Sequence, residues 1–93
     1  MVSFDEAREL AANHIAELEQ VAGCQLVVLE EATKNVEQGW VFFYDSKLHQ
    51  ETDEFQYALA GNAPIFIDRD GKLRNLPTYL SWQEGLKLVL AEN

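Results

Sequence analysis

Apolar and polar positions recur along this chain with two different periods, and each change of period marks an element. From Ser3 onward, Phe4, Ala7, Leu10, Ala11, Ile15, Leu18 and Val21 fall on one arc when residues are set about 100° apart. Asp5, Glu6, Glu9, Asn13, Glu17 and Glu19 take the opposite side. Ser3 with Glu6 makes a capping box, and the acids of the first turn suit the positive end of the helix dipole. Gly23 supplies a C-terminal cap. The pattern predicts an amphipathic helix of about five turns, with its acidic side in solvent.

Beyond Gly23 the period shortens. Gln25-Leu26-Val27-Val28-Leu29 has the length and β-branching of a strand. Glu30 to Gln38 is polar and reads as strand end plus loop. Gly39 opens Trp40-Val41-Phe42-Phe43-Tyr44, a second strand that is apolar on both faces. Asp45 to Glu54 is the longest polar stretch, without obvious structure, and such stretches in small domains often carry function. Phe55-Gln56-Tyr57-Ala58-Leu59 alternates as a short strand or forms a helical turn.

The stretch from Ala60 to Gly71 organises the core. Gly61 and Asn62 tolerate positive φ, and Pro64 sets the start of the next strand where a missing N–H does least harm. Ile65-Phe66-Ile67 has no polar face, so both sides of this strand should be covered. Arg69-Asp70-Gly71 turns the chain and Lys72 to Leu76 returns it. After the connector Leu76 to Leu80, Ser81 and Glu84 repeat the capping logic, and Trp82, Gly85, Leu86 and Val89 form one face of a closing helix. Gly85 costs about 1 kcal/mol relative to alanine there, and lets the helix approach a neighbour closely. The expected fold is α+β: an antiparallel sheet of four to five strands, with an N-terminal and a C-terminal helix packed on one face.

Composition narrows the functional classes. Ninety-three residues, 47% hydrophobic and 25% charged, make one ordinary folded domain spanning residues 1–93. Sixteen acids against seven bases leave a net charge of −9. That balance argues against nucleic acid or an anionic membrane as a partner, and favours a basic protein surface. Cys24 is the single cysteine, so no intrachain disulfide is expected. The first six residues have neither the basic nor the apolar region of a signal peptide, and no apolar run is long enough to cross a bilayer. A cytoplasmic location follows as the expectation.

The candidates for catalysis fail one by one. His14 lies within the apolar arc of the first helix and reads as a core-edge histidine with one nitrogen bonded. His49 sits in the acidic stretch, where His49-x-Glu51-x-Asp53 has a metal-like spacing that chance also produces. Cys24 reads as a small hydrophobe, since a nucleophile needs a base and an electropositive setting. Asp68 and Asp70 flank a turn, where short acids are at home. There is no glycine-rich phosphate loop, paired-histidine motif or nucleophile elbow. No catalytic residue, metal or cofactor is expected.

Gly39-Trp40-Val41-Phe42-Phe43-Tyr44, a polar stretch, then Ala58 to Asp68 with Asp70-Gly71 resembles the immunity protein 35 family of small bacterial proteins. The resemblance covers nearly the whole chain, although Leu76-Pro77-Thr78-Tyr79-Leu80 replaces a Gly-Thr-type segment of the family. Trp40, Gly61, Asn62 and Pro64 read as core and turn residues within it. The resemblance implies a non-enzymatic partner that neutralises a cognate toxin domain by stoichiometric binding. An acidic face opposing a basic toxin surface suits that role, with Asp45, Glu51, Asp53 and Glu54 as the charges and Phe55 or Tyr57 as aromatic anchor. The rival expectation, since the family includes a chaperone-like heat-stress member, is a binder of unfolded or heat-stressed proteins. Toxin chemistry stays open, as does the choice between monomer and homodimer.

Overall fold

The structure is a computed structural model that describes residues 1–52 and 63–91. Helix α1 runs Phe4–Ala22, and its capping box is formed: the Ser3 N–H donates to Glu6 Oε1 at 3.0 Å and the Glu6 N–H to Ser3 Oγ at 3.2 Å. Gly23 ends it in the left-handed region with φ 73°, where its N–H reaches the Glu19 carbonyl. The chain continues through β1 (Leu26–Val28), a 3-10 turn (Glu30–Ala32), β2 (Lys34–Val36), β3 (Gly39–Phe42) and β4 (Tyr44–Ser46). The helix α2 (Lys47–Thr52) follows, then β5 (Ile65–Asp68), β6 (Leu73–Asn75) and α3 (Trp82–Ala91).

The architecture is α+β with antiparallel pairing throughout. Among the described residues, β2-β3-β5-β6 form a four-stranded sheet, and β1 and β4 form a two-stranded ladder. β3 and β4 are successive halves of one extended stretch, broken at Phe43. Their partners β1 and β2 are likewise halves of one returning stretch. Val28 sits opposite Tyr44, yet Lys34 sits opposite Val41. The 3-10 turn takes up the residues that have no partner in between.

Three expectations change. Glu30 to Gln38 is not only strand end and loop, because it contains β2. Lys34 and Asn35 are exposed on an edge strand, so backbone pairing alone makes this strand and no apolar alternation announces it. The polar stretch from Asp45 is structured at its start: Asp45 and Ser46 complete β4, and α2 follows directly. The Phe55–Leu59 segment, with Gly61 and Asn62, lies outside the described residues.

The third change concerns the helices, which lie on opposite faces of the sheet. Ala7, Ala11 and Ile15 of α1 pack with Trp40, Phe42, Tyr44, Ile65 and Ile67. Leu86 and Val89 of α3 pack with Val41, Phe66 and Leu76. Successive side chains of β3 and β5 point to opposite faces, so apolar runs without a polar face require cover on both. Ile65, Phe66 and Ile67 are all buried, as expected for a central strand. α3 comes close through Gly85, where a Cβ would stand 3.1 Å from Pro77 Cδ.

Candidate functional site

The polar corner where β4 meets α2 is built around one carboxylate. Asp45, the middle residue of β4, is only 9% exposed. Its Oδ1 accepts the Ser46 N–H at 2.8 Å, and its Oδ2 accepts Gln50 Nε2 at 2.9 Å and contacts His49 Nδ1. Ser46 Oγ accepts the His49 N–H at 3.0 Å, which anchors the first turn of α2. A buried carboxylate needs several partners to offset lost hydration, and these donors supply them. Next to it, burial pushes the Tyr44 hydroxyl pKa up, while a hydrogen bond with the Ala63 backbone pulls it the other way.

This geometry divides the expected contact residues. Asp45 is turned inward and holds α2 in place. Glu51 is exposed on α2, where it faces Lys47 at 4.0 Å in a half-exposed pair. Asp53, Glu54, Phe55 and Tyr57 lie outside the described residues. Among the described residues no group of three or more His, Cys, Asp or Glu side chains converges as a metal centre. His14 is half-buried at the edge of α1, but its Nε2 is buried without a hydrogen-bond partner among the described residues. Cys24 packs against the core as a partly buried apolar group.

Sequence reasoning missed a recess beside this corner. It encloses about 440 Å³ and is lined by residues 27–32 on one side and Gln50 of α2 on the other. Val27 is opposite Asp45 in the ladder, so its side chain shares the face that α2 covers. Glu30 and Glu31 stand exposed at the rim. Glu30 pairs with Arg8 of α1, whereas Glu31 has no ion pair among the described residues. The adjacent acids Glu30-Glu31 were the available signal, but only the fold sets them above an apolar floor beside a helix. A second, smaller recess of about 290 Å³ lies between Val2 and the Glu6–Asn13 stretch of α1.

Comparison with known proteins follows the same lines. A family model described as Immunity protein 35 matches residues 5–87. An uncharacterized protein of Escherichia coli strain K12, YrhB, is 39% identical over 51 residues, which is 54% of this chain and 54% of that protein. The match therefore spans about half the length of that curated relative. No solved structure gives a significant match. Among the described residues, no helix is long and apolar enough to cross a membrane.

Proposed function

The chain belongs to the immunity protein 35 family, and on that premise we propose that it binds and neutralises a cognate bacterial toxin domain by stoichiometric occlusion in the cytoplasm. The family match over residues 5–87 carries this reading. Inhibition by binding asks for a rigid scaffold with complementary charge and a few anchors, and requires no catalytic group. A net charge of −9 supports a partner with a basic surface, which association would then find quickly.

The contact surface in this proposal is the polar stretch that begins at α2. Glu51, Asp53 and Glu54 supply charge, Phe55 or Tyr57 supplies the anchor, and Asp45 acts from beneath by fixing α2. The decisive experiment is co-expression with the toxin encoded beside the gene. Survival of the host, together with a one-to-one complex on gel filtration, is the expected outcome. Equal binding to assorted heat-denatured proteins, with no protection from the toxin, would overturn it in favour of a chaperone-like binder. Reversing the charges at Glu51, Asp53 and Glu54 should slow association and flatten its dependence on salt.

A further inference from the structure

The recess beside α2 coincides with an open strand edge, and the two together define a docking groove. In the β1–β4 ladder the Leu29 N–H bonds the Phe43 carbonyl at 2.8 Å, and the Lys47 N–H bonds the Gln25 carbonyl at 2.9 Å. Bonded pairs recur at every second residue of an antiparallel ladder. Val27 therefore bonds inward to β4, while the N–H and C=O of Leu26 and Val28 point away from it. The outward Leu26 N–H is taken by the Glu19 carboxylate at 3.1 Å. Among the described residues nothing occupies the N–H or C=O of Val28. This unpaired edge borders the recess of about 440 Å³, which residues 27–32 and Gln50 line; Glu31 is exposed there without an ion pair among the described residues, and Glu30 faces Arg8.

We propose that this groove receives an extended, lysine- or arginine-bearing segment of a partner protein, which adds as a short strand to Val28 and sets a cation against Glu31, beside the Glu30 carboxylate that Arg8 already holds. Strand addition gives main-chain hydrogen bonds, and alternate side chains of the added segment enter the recess. Charge selects the occupant. A second copy of this chain would bring a second net charge of −9, and a nucleic acid would be repelled likewise. A basic segment gains from the field that both of those oppose. The partner class rests on the reading of the chain as a protein-binding inhibitor, and the groove deepens that reading by naming where and how the partner is held.

The first arm of the test needs no knowledge of the toxin. A labelled decapeptide of alternating lysine and valine is titrated into the full chain, with a glutamate–valine decapeptide as its counterpart. Binding is followed by fluorescence anisotropy and by backbone amide shifts. The basic peptide should bind at least about tenfold tighter than the acidic one, with the largest shifts at Val28, Glu31 and Gln50. Replacement Glu31→Lys, which leaves the Arg8–Glu30 pair in place, should weaken it about tenfold or more. Val28→Pro removes the outward N–H without touching a ladder bond and should weaken it independently; its fold is checked by circular dichroism, and the charge reversal carries the test if it unfolds. Equal binding of the two peptides, shifts confined to α1 or α3, or a β1-mediated dimer of the chain would each overturn the proposal. Neutralisation of the toxin by the charge-reversed protein at full strength would sink the groove alone. Loss of all toxin binding, with peptide binding intact, would sink the inhibitor reading alone.

Discussion

Gly39 has no room for a side chain. It faces Asp68 across the β3–β5 pair, and a Cβ built on it would lie 2.1 Å from the Ile67 carbonyl oxygen and 2.8 Å from Asp68 Cα. The backbone of β5 cannot yield, so Gly39→Ala should cost about 3 kcal/mol or more, read as a fall in the urea midpoint or failure to fold. His14 presents the opposite case. Its buried Nε2 lacks a partner among the described residues, so an apolar group of similar size removes a desolvation penalty, and His14→Leu should stabilise the protein by about 1 kcal/mol. Tyr44 sets an alkaline limit. Because burial raises its pKa in the folded state, the unfolded chain loses the proton first. Its contribution is complete below about pH 10 and is lost as pH rises through the folded-state pKa. Urea titrations between about pH 8 and pH 11 should therefore show a steeper loss for the wild type than for Tyr44→Phe.

At the scale of elements, α2 depends on two side chains from the preceding strand. Six residues are too few for a helix to hold by itself in water. Ser46 Oγ caps it, and the Asp45 carboxylate takes the His49 and Gln50 side chains. Asp45→Ala strands these donors and should cost about 2 kcal/mol. Amide exchange should show the loss concentrated in residues 47–52, with β3 and β5 protected as before. The β2–β3 turn has a comparable clasp. Arg69 lies 4.3 Å over the Trp40 ring and donates Nη2 to the Val36 carbonyl at 2.7 Å. It also reaches Asn35 Oδ1 at 3.2 Å. Lysine cannot reproduce a planar stack with forked donors, so Arg69→Lys should loosen residues 35–38 despite keeping the charge.

For the molecule as a whole, charge is the dominant variable. A net −9 on 93 residues makes the folded state repel itself. Raising ionic strength from about 0.01 M to about 0.15 M shortens the screening length from about 30 Å to about 8 Å. The melting temperature should rise across that range, whereas association with a basic partner should slow. A melting temperature that falls instead would mean that attractive pairs such as Arg8–Glu30 outweigh the repulsion. Helices on both faces of the sheet also explain how so small a chain buries Ile65, Phe66 and Ile67 together.

Much of this was legible in the sequence because it is local. Ser3, Glu6 and Gly23 delimit α1 through bonds within a few residues, and the apolar run at Ile65 marks a central strand whatever surrounds it. The Trp40 strand, the Asp70-Gly71 turn and the family resemblance are likewise carried by contiguous residues. Tertiary structure alone decided what depends on residues far apart. The polar β2 is a strand only because β3 offers it a backbone edge. α3 lies across the sheet from α1 because alternate side chains of β3 and β5 need separate cover. Asp45, an exposed charge by its neighbours in sequence, is drawn inward because α2 folds back over it. The groove beside it, made where β1, a 3-10 turn and α2 meet, has no counterpart in any single stretch of the chain.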